Sequence, residues 1–486
     1  MNLAMILYLL GTLMIVEAGL MVLPFAVGLV FGEASAWTFL LVAACEAVAG
    51  GLIILKKPKN TSVFAKEGFV TTALSWIILS VIGALPFYLT GQIPKYIDAL
   101  FETVSGFTTT GASILPRVEA LDKSLLFWRS FSHWVGGMGV LVFMMAILPL
   151  SGAGGQKLYL LRAESPGPSV DKLSPKIRHT AIWLYGIYIV LTFLCVILLL
   201  FGGMDWFSAL CMSFGAAGTG GFGLLSSSFV DYSQFCKVVC TVFMMLFGLN
   251  FNFYYLFIMR RFRDASRMEE VRWYVIVYFF AVGTILLNLR QTGMLGTEAT
   301  ATDAFFSVAS VMTTTGYATT DFNLWPTYSR VILVVIMFTG ACAGSTGGGI
   351  KLSRFIICFK SVGKELKRLL QPRTVKHVHL DGKNVEHATI MNTLAYIVIY
   401  IMIYVVSLLV ISVDGFDPTT TFTSVAATFN NIGPGLNMVG PAGNYEAYSA
   451  LSKAVLIFDM LAGRLEIYPM IFLMLPSVWR KSSFKK

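Results

Sequence analysis

Thr313-Thr314-Thr315-Gly316-Tyr317 is a short polar stretch between two apolar segments, and its reading decides the fold. A near copy, Thr108-Thr109-Thr110-Gly111-Ala112, stands some two hundred residues earlier. Looser versions occur at Thr219-Gly220-Gly221-Phe222 and Asn430-Asn431-Ile432-Gly433. Thirteen residues before the four glycines, Gly111, Gly221, Gly316 and Gly433, sit Asp98, Ser208, Asp303 and Thr420. All four are residue types that cap a helix N-terminus by accepting a backbone N–H bond. Leu100, Leu210, Phe305 and Phe422 follow two or three positions later. Each unit therefore reads as a half-helix of about 10 residues, roughly 15 Å long, that enters an apolar layer and stops at a glycine loop. One TTTG would carry little, since Thr and Gly are common in turns, but four copies at matched offset describe a repeated structural unit.

The rest of the chain supplies that layer. Of 486 residues, 56% are hydrophobic and 13% charged, against about a quarter charged in soluble domains. Mean hydropathy is +0.74. Apolar runs such as 181–201, 331–339 and 390–413 suit a bilayer core that takes about 20 apolar residues per helix. The formal charge of +10 sits in short loops between apolar spans, so it reads as membrane topology and not as nucleic-acid binding. The seven cysteines form no zinc spacing or secreted disulfide framework, although Cys236 and Cys240 can share a helix face. His377 and His379 fall in a basic loop and read as solvated.

Two helices come first, roughly 3–31 and 37–55, with Glu17 and Glu46 inside them. Residues 1–18 contain no Lys or Arg, so this is read as a transmembrane helix and not as a signal peptide. Ionisable groups inside a bilayer usually face protein and are paired, so the two glutamates read as structural contacts. The expected architecture is an all-α polytopic membrane protein with four helix–pore-loop–helix repeats around a pseudo-fourfold pore. Residues 1–60 form the N-terminal pair, and the repeats cover 61–152, 153–263, 264–386 and 387–486. Lys and Arg cluster at 157–178, 260–272, 351–383 and 480–486. The opposite loops carry Asp98, Glu119, Asp122, Asp205, Asp231, Glu298, Asp303, Asp321, Asp414, Asp417 and Glu446. Basic loops mark the cytoplasm, which puts both termini inside, the repeats parallel and an acidic mouth outside that would concentrate cations. Long basic connections at 152–179 and 362–387, the latter with Pro372, are either solvated faces or a docking surface for a partner.

Non-helical backbone at membrane depth survives only where protein buries it or it lines a watery cavity. Glycine lets carbonyl oxygens turn inward, and rings of carbonyls can replace a cation's hydration shell. The C-terminal ends of the half-helices aim partial negative charge at the same place. The expected lining is Thr109, Thr110 and Gly111; Thr219, Gly220 and Gly221; Thr314, Thr315 and Gly316; and Asn431, Ile432 and Gly433. Within it, a cation meets Thr110, Gly111, Gly220, Gly221, Thr315, Gly316, Ile432 and Gly433.

A second irregular stretch, Gly340-Ala341-Cys342-Ala343-Gly344-Ser345-Thr346-Gly347-Gly348-Gly349, interrupts a helix that starts near Thr327. Each glycine costs about 1 kcal/mol against Ala in a helix. Ile350 separates Gly349 from Lys351, so a nucleotide-binding loop is a poor fit. The reading is a gate built from Gly340, Gly344, Ser345, Thr346, Gly347, Gly348 and Gly349. Arg464, in a final helix at 452–475 with Asp459 and Glu466, is two residues from Glu466 and cannot face it on a helix. A buried salt bridge elsewhere and a positive charge beneath the lining that holds the gate both remain open.

With these residues in view, the chain resembles the TrkH branch of the TrkH/KtrB family of potassium transporters over essentially its whole length. The resemblance rests on SGFTTTGAS (105–113), LLRAESPGPSVDKL (160–173), the TTTGY loop, GACAGSTGGGIK (340–351), AATFNNIGPGL (426–436) and MLAGRLEIYP (460–469). It implies a homodimer with one pore per subunit, selectivity for K+ and Rb+, and residence in a bacterial cytoplasmic membrane. It maps the filter glycines onto Gly111, Gly221, Gly316 and Gly433, the gate loop onto 340–349 and the pore-obstructing arginine onto Arg464. It also implies a cytosolic TrkA-type regulatory subunit that would carry NAD or ATP, leaving this chain without a cofactor of its own. In the second repeat Ala217-Gly218 replace Phe107-Thr108 and Met312-Thr313, which puts that quadrant's rigidity in question. The alternative activity is symport of K+ with H+ or Na+ around inverted repeats, against which the repeats run parallel. An enzyme is the third class, and no nucleophile–base pair or metal motif supports it.

Overall fold

The computed structural model describes residues 1–147, 177–372 and 377–479. The 160–173 stretch, the basic cluster at 480–486 and the 152–179 connection up to residue 176 lie outside them. The described chain is helical apart from one two-residue hairpin, His379–Leu380 against Lys383–Asn384. Among the described residues, six helices are long and apolar enough to cross a membrane, and a seventh span counts if a pair bent by 87° is one segment.

The N-terminal hairpin consists of Leu3–Leu20, continued by Val22–Phe31, and Ser35–Ile54. Its two arms approach closely because small residues face each other: a Cβ on Gly50 would lie 3.1–3.2 Å from Ile15 and Met14 side chains, and one on Gly28 would meet Ala36.

Four units of one design follow. Each has a long apolar helix, a short buried helix ending in a loop, and a second crossing segment. The long helices are Ala65–Gly83, Ile177–Phe201, Glu269–Gln291 and His387–Ile411. The short ones, here called pore helices, are Tyr96–Phe107, Trp206–Gly218, Ala301–Met312 and Pro418–Phe429. They run 12 or 13 residues, slightly longer than their sequences suggest.

The expected caps need correction. Asp98, Ser208, Asp303 and Thr420 each stand three residues inside the cap, at matched positions in the first turn. The true caps are Asp205, Thr300 and Asp417, whose side chains accept from the N–H groups of Ser208, Asp303 and Thr420; Lys95 occupies the cap position of the first helix without a side-chain bond. Thr300 and Asp303 satisfy each other reciprocally, as a capping box does. The error arises because a polar N3 residue and a polar cap look alike in sequence, and the offset repeats either way.

The second crossing segment is broken in three of the units. The first is continuous over Lys123–Ile147. The second breaks between Gln234–Phe247 and Phe251–Ile258, where Asn250 caps the new helix by accepting from the N–H of Asn252. The third breaks between Thr327–Thr339 and Leu352–Leu370, at the glycine-rich stretch. The fourth, expected as one helix at 452–475, stops at Arg464 and resumes at Tyr468 after Glu466 and Ile467 adopt φ of 55° and 69°. A left-handed β-branched residue is strongly disfavoured, so the surrounding packing imposes this break. Pro469, in the first turn of the resumed helix, is the sequence signal for it.

Candidate functional site

The four loops meet in a closed ring. In every one, the residue two before the glycine and the glycine itself are left-handed. The φ values are 54° and 78° at Thr109 and Gly111, 54° and 78° at Thr219 and Gly221, 59° and 87° at Thr314 and Gly316, and 55° and 95° at Asn431 and Gly433. Such a repeat of an unusual backbone conformation makes the loops copies of one another in shape, not only in sequence.

Closure shows in what a side chain at each glycine would strike. A Cβ on Gly111 would collide with the carbonyl oxygen of Gly220, one on Gly221 with that of Thr315, and one on Gly316 with that of Ile432. On Gly433 it would lie 2.7 Å from the carbonyl oxygen of Thr110. Each quadrant thus packs its glycine against the carbonyl that precedes the next quadrant's glycine, and the fourth returns to the first. Of the residues expected in the lining, the four glycines meet Thr110, Gly220, Thr315 and Ile432 at these junctions, while Thr109, Thr219, Thr314 and Asn431 hold the left-handed positions two residues before the glycines. Next to them is a vestibule of about 100 Å³, open to solvent and lined by residues that include all four glycines, Ser113, Arg129 and Asn444.

The loops are held from behind by bonds with no water to compete. Thr108 and Thr110 share a hydroxyl–hydroxyl bond of 2.8 Å, as do Thr313 and Thr315. The second quadrant lacks this pair because Gly218 and Gly220 stand at the two threonine positions. His133, from the first unit's crossing helix, takes over: its Nδ1 lies 2.8 Å from the Gly106 carbonyl and its Nε2 accepts from the Phe222 N–H at 3.2 Å. Those two bonds require the proton on Nδ1. Gly218 and Gly220 leave room for His133, since a Cβ at either would run into its backbone or ring. The doubt about that quadrant's rigidity is therefore answered by a residue from another unit.

Bonds also cross between quadrants. Asn431 donates to Thr110 Oγ1 at 3.0 Å and to the Met460 carbonyl at 2.9 Å. Tyr317 donates to the Met212 carbonyl at 2.9 Å, joining the third quadrant to the second pore helix. Tyr445 donates to the Gly433 carbonyl at 2.8 Å. Buried Arg129 binds Glu102, donates to the Gly223 carbonyl at 2.8 Å and stacks over Phe222 at 3.6 Å. Tyr396, Tyr400 and Tyr404 recur every four residues and so line one helix face; Tyr400 stacks on Phe429 at 4.3 Å and donates to Asn430. His133, Arg129, Glu102, Tyr400 and Tyr445 were not foreseen. The four-residue tyrosine spacing was the one available signal.

Two of the eleven carboxylates expected at the acidic mouth, Asp98 and Asp303, are buried instead. Asp98 is buried and pairs with Lys453 at 2.6 Å, and buried Asp303 accepts from Thr319 at 2.7 Å. Glu119 accepts from the backbone N–H and hydroxyl of Ser226, bracing the first two units together. These carboxylates brace pore helices and loops, and among the described residues no carboxylate lines the vestibule.

The glycine-rich stretch lies against the inner side of the ring. Gly348 N–H donates to Thr314 Oγ1 at 2.6 Å. A Cβ on Gly348 would lie 2.5 Å from the Asn430 carbonyl oxygen, and one on Gly347 2.9 Å from that of Thr313. Glycines are needed because backbone touches backbone. Gly340, Gly344 and Gly349 adopt φ of 64°, 70° and 76°, values that other residues rarely take. Ser345 closes a turn by donating to the Cys342 carbonyl at 2.6 Å.

Three charged residues fix this stretch. Arg464 donates to the Thr346 carbonyl and to the Gly136 carbonyl, each at 2.7 Å. Glu270 accepts from the N–H groups of Ala343 at 2.7 Å and Ser353 at 3.1 Å, clasping both ends. Lys351 folds back onto the Gly347 carbonyl, while Arg354 pairs with Glu466 and lies 3.9 Å over the Tyr396 ring. Lys351 and Arg354 are buried, so the basic cluster expected from residue 351 becomes solvated only further along. Glu466 serves Arg354, in keeping with the two-residue spacing that separates it from Arg464.

A family model described as TrkH, cation transport protein, matches residues 34–481. The Trk system potassium uptake protein TrkH of Escherichia coli K12 is 35% identical over 481 residues, covering 97% of this chain and 98% of that protein. The Trk system potassium uptake protein TrkG of the same strain is 34% identical, with 94% of each chain covered. The crystal structure of the potassium transporter TrkH from Vibrio parahaemolyticus superposes with a TM-score of 0.87 at 30% identity, covering 99% of this chain and 100% of that one. Both the helix–pore-loop–helix architecture and the full-length matches lead to one assignment: this chain belongs to the TrkH family of cation transport proteins.

Proposed function

We propose that this chain is a potassium-selective uptake channel or transporter of a bacterial cytoplasmic membrane. The observation that carries this reading is the closed ring. The carbonyls of Thr110, Gly220, Thr315 and Ile432 stand at its four junctions, each against the next quadrant's glycine. Backbone carbonyls held at the four junctions of such a ring suit an alkali cation stripped of water. The pore helices end at the ring, so their C-terminal dipoles favour a cation there. The names of the relatives, potassium uptake proteins, agree with this ion. Rubidium flux into proteoliposomes tests it: potassium should compete far better than sodium.

Residues 340–349 act as the gate. Their contact with Thr314, Asn430 and Arg464 puts them directly beneath the ring, where a shift of the loop opens or blocks the path. Arg464 holds the loop and adds a positive charge that opposes cations while the loop is in place. Both termini face the cytoplasm, the protein works as a homodimer, and a cytosolic TrkA-type subunit that binds NAD or ATP moves the gate. Four repeats of one orientation favour conduction over alternating-access symport, which inverted repeats would serve.

A further inference from the structure

The N-terminal hairpin holds a pair of acids with no counter-charge. Glu17 is the middle residue of the 29-residue span Leu3–Phe31. Gly28 packs on Ala36 and Gly11 on Gly50, so the antiparallel arms bring Glu17 opposite Glu46. Glu17 is 1% exposed and Glu46 3%.

The other buried carboxyl groups among the described residues all have donors. Glu67 accepts from the N–H groups of Asn2 and Phe64, Asp98 from Lys453, and Glu102 from Arg129 and Ser113. Glu270 accepts from Ala343 and Ser353, Asp303 from Thr319, and Asp459 from Ser407. Glu17 and Glu46 differ: none of their four carboxyl oxygens receives a hydrogen bond. Two unprotonated carboxylates facing each other at this depth would combine desolvation with like-charge repulsion, and a proton shared between them removes both penalties.

The groups on neighbouring elements offer no substitute for that proton. On Ala65–Gly83, Lys66 and Glu67 lie in the first turn, with Glu67 beside the N-terminal amine. On the adjoining Leu85–Leu89, Tyr88 contacts Tyr96. On Lys123–Ile147, Lys123 lies over Phe207, Arg129 binds Glu102, and His133 is bonded to Gly106 and Phe222. The hairpin itself adds Tyr8, Glu33, which accepts from the N–H groups of Lys123 and Ser124, and Cys45.

We propose that Glu17 and Glu46 form a proton-binding site, in which one carboxyl donates its O–H to the other across the hairpin. The proton comes from water and no other bond changes. The site adjoins the ring's scaffold. A Cβ on Gly83 would lie 3.2 Å from Glu17 Oε1 and 2.9–3.1 Å from Phe107 and Thr103 of the first pore helix. The bound proton therefore keeps a charge from developing directly behind that helix.

Infrared difference spectroscopy of the full chain in lipid, recorded in H2O and D2O, tests the site without any ion flux. At neutral pH the wild type should show a protonated-carboxyl C=O stretch that shifts on deuteration. The band should be lost in Glu17→Gln/Glu46→Gln, where each amide can hydrogen-bond the other and preserve the fold. Glu46→Gln alone should also change its position, and this variant serves if the double one fails to fold. A band of unchanged position and intensity in these variants, or no such band in the wild type, would overturn the proposal. Either result leaves the conduction reading untouched, because that reading is measured by flux.

Discussion

Asn431 donates one amide N–H to Thr110 Oγ1 at 3.0 Å and a second to the Met460 carbonyl at 2.9 Å. This side chain ties the last quadrant of the ring to the first, across more than three hundred residues of sequence. Asn suits the task twice over, because it tolerates the left-handed backbone found there and carries two donors. Replacing it by Asp keeps the shape and removes both donors. A carboxylate facing a hydroxyl and a carbonyl should cost about 1–3 kcal/mol. Asn431→Asp should therefore lower the melting temperature in detergent and reduce the preference for rubidium over sodium. An unchanged ion preference would mean that this link does not shape the ring.

Gly316 has no room for a side chain, since a Cβ would collide with the Ile432 carbonyl. Ser at this position also meets a φ of 87°, a conformation that costs non-glycine residues of order 1–3 kcal/mol. Gly316→Ser should displace that carbonyl and bring potassium and sodium fluxes closer together. Ion ratios equal to the wild type would place the selective element elsewhere.

Glu270 clasps both ends of the glycine-rich stretch through two backbone N–H groups. Glu270→Ala leaves these buried donors unpaired at about 1–3 kcal/mol each, so the loop should leave its position more readily. Rubidium flux without any regulatory subunit should rise, as it should on shortening 341–348. Arg464→Gln should act in the same direction, because it weakens the bonds to Thr346 and Gly136. If flux falls or stays constant in all three, the stretch is packing and not a gate.

Lys453 and Asp98 form a buried ion pair between the fourth unit's crossing helix and the first pore helix. Removing one partner strands the other charge, at roughly 3–5 kcal/mol. Lys453→Met should destabilise the protein strongly, and adding Asp98→Asn should restore much of the loss. A double variant no better than the single one would show that the pair's contribution is not mutual.

At the exposed start of the fourth pore helix, the Asp417 cap is held below the usual carboxylate range by the Thr420 hydroxyl and backbone N–H. A depressed value in the folded state gives stability that is fully present above the free-Asp value of about 3.9. It is lost as pH falls through the lower folded value. Melting curves from pH 6 to about pH 3 should fall more steeply for the wild type than for Asp417→Asn. Parallel curves would remove this cap from the acid response.

Sequence disclosed the parts that repeat. Gly111, Gly221, Gly316 and Gly433 were legible because a left-handed turn at fixed distance from a helix start imposes the same residue type each time. The irregular stretch at 340–349 was legible because five glycines cannot remain helical. What sequence hid is what one copy needs from another. His133 reads as a lone histidine on an apolar helix, and only the fold shows that it replaces the missing threonine of the second quadrant. Asp98 and Asp303 read as mouth charges because their partners, Lys453 and Thr319, are remote or lie beyond the loop. The break at Glu466-Ile467 has one sequence mark, Pro469 in the first turn of the resumed helix, and tertiary contacts such as the Arg354–Glu466 pair hold it. Glu17 and Glu46 read as facing protein and paired; the structure buries both, but none of their carboxyl oxygens receives a hydrogen bond.

The most direct test of the central claim is rubidium uptake by purified protein in liposomes, with potassium or sodium added as competitor and no pH or sodium gradient imposed. A ring of carbonyls at Thr110, Gly220, Thr315 and Ile432 predicts uptake that potassium suppresses at concentrations where sodium has little effect. Equal suppression by sodium and potassium would contradict it.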